Sequence, residues 1–286
     1  MRFSVNIPNF GDFADPMNVR KVAVAAEEAG WDGLFVWDHL QFKRYRGRPF
    51  ADPWILLATV APATSRLRLG TLLTPVPRYR PQQLARQVAT LDELSGGRMI
   101  LGAGLGGPID DEYGSFGDST DPLVLAGRLD EGLDLIDRMW TGELVDHEGV
   151  HYQARDVQMT PTPVQRPRPP VWIGGFWPAK APMRRAARWD GAAPLFESAR
   201  HGIVPDVAEV AELVAYVRKH RQGTERPFEF VLGGATPAHP GRAADVIGPL
   251  SDAGATWWDE RQIQLGPDID RLAPVLRRVE AGPPRV

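Results

Sequence analysis

An aspartate and a histidine, Asp38 and His39, follow directly on the apolar run GLFVW at residues 33–37. The run is typical of a buried strand, and the pair comes where such a strand should reach its carboxyl end. A histidine at the edge of a pocket can donate or accept a proton near neutral pH. A neighbouring carboxylate can fix the imidazole tautomer, although adjacent residues on an extended strand point to opposite sides. The pair is therefore either a reactive site or only the polar end of a strand.

Glycine-rich stretches also follow apolar runs. GAGLGG at 102–107 matches the Gly-x-Gly-x-x-Gly pattern of dinucleotide sites, but Pro108 and three acidic residues follow where that site needs a helix. We expect a loop there and not a Rossmann site. WIGGFWPAK at 172–180 places two glycines before a helix predicted to begin near Pro178, which is the outline of an anion site. VLGGATPAHPGR at 231–242 has the same outline. Tight turns remain an alternative interpretation of these glycines.

HEGVH at 147–151 matches the His-Glu-x-x-His pattern of zinc proteases. That chemistry needs both histidines on one face of a helix, with the glutamate beside the metal. Gly149 interrupts any helix here, and the residues that follow alternate like a strand. The sequence therefore predicts a turn or hairpin and no metal site.

Composition restricts the classes of protein that fit. The chain of 286 residues has no cysteine, which excludes disulfides, thiolate nucleophiles and thiolate metal sites. Its net charge of -3 disfavours a nucleic-acid surface, which needs a concentrated basic face. No stretch approaches the roughly 18 to 20 apolar residues of a membrane span, and the first residues lack the apolar core of a signal peptide. We expect a cytoplasmic protein with no membrane or nucleic-acid partner.

Strand-like and helix-like segments alternate along nearly the whole chain. Asp15-Pro16 and Asp52-Pro53 are typical helix starts, with an acidic N-cap before a proline. Each of the eight apolar strand candidates precedes a helix candidate; the strands are 3–8, 33–37, 66–74, 98–104, 170–175, 191–196, 228–234 and 256–260. The pattern predicts an α/β fold, a (β/α)8 TIM barrel, with an insertion after strand four at about 105–165 and one domain over 1–286. A doubly wound open sheet is the alternative. In a barrel the active site lies at the carboxyl ends of the strands.

The chain resembles the luciferase-like monooxygenase superfamily, whose members are flavin- or deazaflavin-dependent oxidoreductases built on this barrel. The resemblance rests on AAEEAGWDGLFVWDH, RLRLGTLLTPVPRYRP, TLDELSGGRMILGAGLG, PVWIGG and AGATWW, which occur in order along the chain. It implies reduced FMN or the deazaflavin coenzyme F-420 at the strand ends. It also implies hydride transfer or monooxygenation of a small organic substrate. The Asp-His pair favours F-420, and both coenzymes remain open.

The resemblance also implies roles for individual residues. His39 and Asp38 are the catalytic candidates. A bulge at the end of strand three should support one face of the ring, and in the deazaflavin branch it carries a non-prolyl cis peptide. The residues expected to bind the coenzyme ring and phosphate are Thr71, Leu72, Leu73, Gly104, Gly106, Gly107, Gly174, Gly175 and Phe176. Aromatic clusters at strand ends suggest pocket walls, and the expected substrate residues are Trp37, Trp54, Arg78, Tyr79, Trp177 and Trp257.

Two departures bear on the substrate. Sugar-phosphate dehydrogenases of the deazaflavin branch have a tryptophan after the Asp-His and a glutamate after the strand-four glycines, where this chain has Lys43 and Gly107. That substrate is therefore disfavoured. Two other classes stay open: a non-catalytic flavin-binding protein of the same fold, and a metal-dependent barrel hydrolase, which the absence of His-x-His in strand one weakens. A homodimer and a separate reductase that supplies reduced coenzyme are further expected partners.

Overall fold

The structure is a computed structural model that describes residues 1–199, 203–221, 226–237, 240–261 and 269–284. Its strands lie close to the predicted ones and alternate with helices. They are β1 (Arg2–Ile7), β2 (Gly33–Val36), β3 (Arg68–Pro75), β4 (Met99–Gly104), β5 (Leu144–Glu148), β6 (Gln153–Gln158), β7 (Val171–Trp177), β8 (Gly191–Phe196), β9 (Glu229–Gly234) and β10 (Trp257–Glu260).

Eight of these strands close into a parallel barrel. Their order around the barrel is β1-β10-β9-β8-β7-β4-β3-β2, with β1 paired to both β2 and β10. The eight barrel strands are the eight predicted from the sequence, so the predicted TIM barrel is confirmed. The open doubly wound sheet is excluded because the sheet has no free edge.

The helices surround the barrel. They are α1 (Pro16–Glu28), α2 (Pro53–Val60), α3 (Pro81–Leu94), α4 (Ile109–Glu112), α5 (Pro122–Met139), α6 (Lys180–Ala186), α7 (Val207–His220), α8 (Pro240–Asp252) and α9 (Leu272–Glu280). The predicted caps are confirmed: the Asp15 side chain accepts from the Met17 amide at 2.9 Å, and Asp52 accepts from the Trp54 amide at 2.8 Å. These bonds satisfy amide groups that have no partner within the first helical turn. No helix in these described ranges is long and apolar enough to cross a membrane.

The chain between β4 and β7 holds more than an insertion. Helix α5 packs against α3 and so belongs to the helix layer of the barrel. The additional parts are the loop with the one-turn helix α4 and the antiparallel hairpin β5–β6. The expected hairpin in this region is confirmed, and α5 explains why the segment is long.

The HEGVH motif lies in that hairpin. Glu131 on α5 accepts from His147 Nε2 at 3.0 Å, and from the backbone amides of His151 and Tyr152 at 2.9 and 2.8 Å. The carboxylate therefore anchors the turn to the helix layer. Within the described part of the chain, no cluster of His, Cys, Asp or Glu could hold a metal ion.

Alternation along the strands divides the core into two layers. One set of side chains packs between strands and helices, and includes Val5 and Ile7 of β1. The other set packs inside the barrel lumen and consists of Phe35, Leu72, Ile100, Trp172, Ala193, Val231 and Trp257. Residues that follow the lumen set at two-residue intervals on the same strands point into the barrel mouth above it.

Candidate active site

Asp38 and His39 lie just beyond the carboxyl end of β2, as predicted, and their side chains diverge. His39 packs edge-to-face on Trp37 with 5.8 Å between ring centroids, while Asp38 is buried on the side of α2. Asn9, which follows β1, holds the backbone of His39 at both ends. Its Oδ1 accepts from the His39 amide at 3.2 Å, and its Nδ2 donates to the His39 carbonyl at 2.8 Å. The position of the imidazole is therefore fixed by two neighbouring strands.

Glu112, at the end of the one-turn helix α4, is the carboxylate that His39 contacts. The distance from His39 Nδ1 to Glu112 Oε1 is 2.6 Å, and the Glu112 side chain is fully buried. A carboxylate accepts hydrogen bonds, so Nδ1 carries the proton and Nε2 is the nitrogen left for a ligand. The imidazole retains 16% side-chain exposure, which leaves it accessible from the mouth.

Sequence reasoning missed Glu112. It looked for a glutamate at position 107, directly after the β4 glycines, and interpreted residues 110–112 as part of a loop. The available signal was the acidic triplet Asp110-Asp111-Glu112, which the structure folds into a helical turn. Only the last member of the triplet reaches His39. The mouth therefore does contain a glutamate after β4, five residues beyond the expected position.

Arg78 joins the two acidic residues of the site. Its guanidinium contacts Glu112 through Nη1 and Asp38 through Nη2, and its side chain is 7% exposed. Burial lowers the pKa of Arg78, but the carboxylate of Asp38 and the Tyr79 hydroxyl, followed by Glu112, raise it overall. Arg78 is therefore a permanent cation inside the protein, held between two carboxylates.

Asp38 faces this cation and a phenol. The Tyr79 hydroxyl donates to Asp38 Oδ2 at 2.9 Å, and Trp54 Nε1 donates to the Tyr79 oxygen at 3.2 Å. Burial raises the pKa of the Asp38 carboxyl from its ordinary value, and the Arg78 guanidinium and Tyr79 hydroxyl oppose that rise. Burial likewise raises the pKa of Tyr79, so the phenol stays protonated and can donate. Asp38 is thus linked to His39 by side-chain contacts through Arg78 and Glu112.

The loops after β2 and β4 are tied together above this cluster. The Lys43 amide donates to Asp111 Oδ2 at 2.7 Å, and its ammonium pairs with Asp110 and, at 3.3 Å, with Asp111 Oδ1. Gln41 Nε2 donates to the Asp111 carbonyl at 3.0 Å. These contacts form one wall of the mouth beside His39.

The expected bulge is present in β3. The pairing of β3 with β4 shifts register between Thr71 and Thr74, and the Leu72–Leu73 peptide bond is cis. A Cβ on Gly104 would lie 2.9 Å from Leu73, and one on Gly174 would overlap the same side chain. Leu73 therefore fills the space that these two glycines leave in the lumen. The Thr71 hydroxyl is buried and accepts from Thr74 at 2.8 Å, so it is engaged within the strand.

The glycines proposed for the phosphate differ in their surroundings. Gly106 has φ +75° and packs against Pro75, whereas nothing lies within 4 Å of a Cβ on Gly107. A Cβ on Gly175 would overlap Pro182 of α6, so Gly175 permits close strand–helix packing. Phe176 points to the mouth and is 42% exposed.

The two predicted anion sites receive little support. Helix α6 begins at Lys180, two residues after Pro178, but the Lys180 ammonium lies 3.5 Å from the centroid of the Trp177 ring. The corresponding loop after β9 includes residues 238 and 239, which lie outside the described residues. Its Thr236 donates to Glu260 at 2.6 Å on the helix side of the barrel.

Three of the predicted substrate residues lie away from the barrel mouth. Trp54 lies in α2, behind Tyr79, and Trp177 packs outside the barrel under Lys180. Trp257 is in the lumen, but it is fully buried at the bottom, 5.2 Å from Trp172. Arg78 and Tyr79 do reach the site, as partners of Asp38 below its surface.

A comparison with known protein families identifies the family of this chain. Residues 1–244 match the family described as luciferase-like monooxygenase. The chain belongs to this family. Its closed eight-stranded barrel agrees with the fold that the resemblance in the sequence implies.

Relatives of this luciferase-like chain include proteins that use different coenzymes. The F-420-dependent glucose-6-phosphate dehydrogenase of Gordonia bronchialis is 31% identical over 76% of this chain and 62% of its own length. The chain spans about half of the length of other relatives with that description. The F-420-dependent tetrahydromethanopterin reductase from Methanopyrus kandleri superposes with a TM-score of 0.76 at 16% identity, over 98% of this chain and 96% of that one. The oxygenating constituent of 3,6-diketocamphane monooxygenase from Pseudomonas putida, in complex with FMN, superposes with a TM-score of 0.76 at 15% identity, over 98% of this chain and 97% of that one. These structures support the fold.

Proposed function

We propose that this luciferase-like protein is an oxidoreductase that uses F-420 to transfer a hydride to or from a small organic substrate at the barrel mouth. The observation that carries the proposal is the imidazole of His39, fixed by Glu112 with Nε2 toward the mouth. The F-420-dependent description of the relatives supports the choice of coenzyme. FMN, with monooxygenation, is the alternative that the coenzyme titration below tests.

We propose that the flat ring of the coenzyme binds in the mouth. The lumen side of β4 and β7 carries Gly104 and Gly174, and the Leu73 side chain packs over both. We propose that Leu72 and Leu73 support one face of the coenzyme ring, and that Gly106, Gly107 and Phe176 line the path of its phosphate-bearing chain. Bound F-420 would supply or accept the hydride.

The roles of the protein groups follow from their contacts. Nε2 of His39 exchanges a proton with the substrate, because Nδ1 is committed to Glu112. Glu112 stabilises the imidazolium and fixes the tautomer. Arg78 and Asp38 hold Glu112 in place as positioning residues. Trp37 and Phe42 pack on the imidazole, with centroid distances of 5.8 and 5.2 Å.

Titration of the purified protein with F-420 and with FMN tests the proposal. Ring absorbance and quenching of tryptophan fluorescence report binding. The proposal predicts tight binding of F-420 and weak binding of FMN. Tight binding of FMN alone would support the monooxygenase instead, and binding of neither coenzyme would contradict both.

A pair of histidine variants tests the role of His39. His39→Ala should depress turnover with F-420 by 10²–10⁴-fold, the contribution typical of general acid–base catalysis, and leave coenzyme affinity almost unchanged. His147→Ala is the matched control, because His147 also pairs with a glutamate but lies on β5 outside the mouth. Glucose 6-phosphate and small alcohols form the first substrate panel. Equal turnover by the two variants would remove His39 from the mechanism.

We further propose one domain over residues 1–286, a cytoplasmic location, a homodimer and, for an FMN enzyme, a separate reductase. The dimer proposal rests on an apolar face of α2 and α3, where Ile55 is 63% and Leu94 is 49% exposed beside a groove of about 600 Å³. Sedimentation analysis should find a dimer that Ile55→Glu dissociates. A monomeric unsubstituted protein would contradict the proposal.

A further inference from the structure

A second polar cluster lies inside the barrel mouth, away from His39. Ser4 and Asn6 alternate with the helix-facing residues of β1, so their side chains enter the lumen. On β10, Asp259 is two residues beyond the lumen residue Trp257, and Arg261 follows two residues later, just after the end of the strand. Their side chains therefore form a polar layer directly above the apolar bottom of the barrel.

Asp259 is the centre of this layer. Its fully buried carboxylate accepts from Ser4 Oγ at 2.7 Å, from Asn6 Nδ2 at 2.7 Å and from Arg261 Nε at 2.8 Å. A Cβ on Gly233 of β9 would overlap the Arg261 guanidinium, so this glycine leaves room for it. The layer contains one carboxylate and one guanidinium, and its charges balance.

The remaining oxygen of Asn6 lacks a donor. Asn6 is 1% exposed, and its Oδ1 has no hydrogen-bond partner among the described residues. A buried amide oxygen without a donor is costly, and such a group in a native protein calls for an explanation. A bound molecule that places an O–H or N–H in the mouth would supply the missing donor.

One end of the layer, at Arg261, lies across the barrel from the bulge. In the order of eight strands around the barrel, β9 is four strands from β3, and the Arg261 side chain lies over Gly233 of β9. Asn6, on β1, is two strands from β3 and so lies at the side of the lumen. If Leu72 and Leu73 support one face of the coenzyme ring, as proposed above, the other face is turned toward Arg261, with Asn6 beside it. The space between them is where a substrate would receive or lose a hydride.

We propose that Asn6 and Arg261 form a substrate-recognition subsite for an uncharged hydroxyl or amide group. Asn6 Oδ1 accepts the group's O–H or N–H, and the η nitrogens of Arg261 donate to its oxygen. Asp259 orients both residues and cancels the charge of Arg261, so an anionic group gains little attraction there. The subsite deepens the proposed function and rests on it for the position of the ring.

Lactamide and lactate are suitable probes, because both carry a hydroxyl beside a carbonyl and only lactate is charged. Their affinities for the protein, alone and with saturating F-420, can be ranked by saturation-transfer NMR and isothermal titration. The unsubstituted protein should prefer lactamide. Asn6→Leu should weaken lactamide binding about three- to tenfold, the loss expected for a hydrogen bond. Asp259→Asn should reverse the preference, because it leaves the Arg261 charge uncompensated.

Arg278→Met is the matched control. Arg278 pairs with Glu260, which neighbours Asp259 on the opposite, helix-facing side of β10. Arg278→Met should leave the preference for lactamide over lactate unchanged. Circular dichroism verifies that each variant is folded. If Asp259→Asn fails to fold, Asn6→Leu and Arg261→Lys still test the subsite, and Arg261→Lys should reduce lactamide affinity.

The outcomes separate this inference from the proposed function. Equal affinity for the two probes, or lactamide binding unaffected by Asn6→Leu, overturns the subsite even if F-420 binds tightly. Failure to bind F-420 overturns the proposed function, whereas the preference for lactamide is measured on the protein alone. A preference for lactate in the unsubstituted protein also overturns the inference.

Discussion

Arg78→Met tests the buried charge cluster without need of coenzyme or substrate. The substitution removes the cation between Asp38 and Glu112, whose side chains are 1% and 0% exposed. Removing one partner from a buried pair costs about 3–5 kcal/mol, because the remaining charge is left uncompensated. For 286 residues, an unfolding entropy of about 2.1 cal/mol/K per residue gives about 0.6 kcal/mol/K. The melting temperature should therefore fall by about 5–8 °C.

The matched control is Arg188→Met. Arg188 also lies between two carboxylates, 2.9 Å from Asp134 and 3.6 Å from Asp130, but its side chain is 53% exposed. An exposed pair contributes about 0–1 kcal/mol, so this variant should unfold at nearly the original temperature. Differential scanning calorimetry measures both. If Arg78→Met is destabilised no more than Arg188→Met, the cluster is not a buried ion network and the reasoning is refuted.

The loss of stability caused by Arg78→Met should also depend on pH. Without the guanidinium, the pKa of Asp38 rises further above its value in the unfolded chain. A raised carboxyl pKa destabilises the folded state above that pKa, and protonation removes the penalty as the pH falls. The difference in unfolding free energy from the unsubstituted protein should therefore be largest at neutral pH and shrink toward pH ~4. A difference that is constant with pH would contradict this assignment.

Two further stability predictions follow from local contacts. Burial raises the pKa of Glu27, but backbone amides that include those of Arg66 and Leu67 outweigh it and lower the pKa from 4.5 to about 2. A carboxyl group with a lowered pKa stabilises the folded protein at pH values above its pKa in the unfolded chain. Glu27→Gln should therefore reduce the unfolding free energy by about 1–2 kcal/mol at pH 7, a value discounted for the partial exposure of Glu27. The loss, measured by urea titration, should shrink progressively between pH 4.5 and 2. Glu28 is exposed, and an equal loss of stability in Glu28→Gln would contradict this role of the Glu27 carboxylate. Gly102→Ala should cost about 1–3 kcal/mol, because its Cβ would overlap the carbonyl oxygen of the residue that begins the bulge. Gly107→Ala, with open space around its Cβ, should cost less than about 0.5 kcal/mol in the same thermal unfolding assay, and equal losses would contradict the packing argument.

The barrel could be predicted because its signals are local. Each strand is an apolar run of the expected length, and Asp15 and Asp52 mark helix starts within two residues of their amide partners. The contact between His39 and Glu112 joins residues 73 positions apart, and no spacing in the sequence reports it. Only the fold brings the loop after β4 over the end of β2.

Strand alternation carried information that the sequence reasoning did not use. Trp172, Gly174 and Phe176 share the lumen face of β7, so Trp177 has to face the helices, as it does. The same rule places Ser4 and Asn6 of β1 in the lumen. Alternation does not reveal depth, which is why Trp257 was assigned to the substrate although it lies buried at the bottom of the barrel.

The most direct test of the central claim is a crystal structure of the protein with F-420. The account predicts the deazaflavin ring in the barrel mouth, with one face against Leu72 and Leu73 and with Nε2 of His39 within reach of a substrate on the other face. It also predicts that Nδ1 of His39 remains hydrogen-bonded to Glu112. A ring bound elsewhere, or a His39 that turns away from the mouth in the complex, would contradict the account.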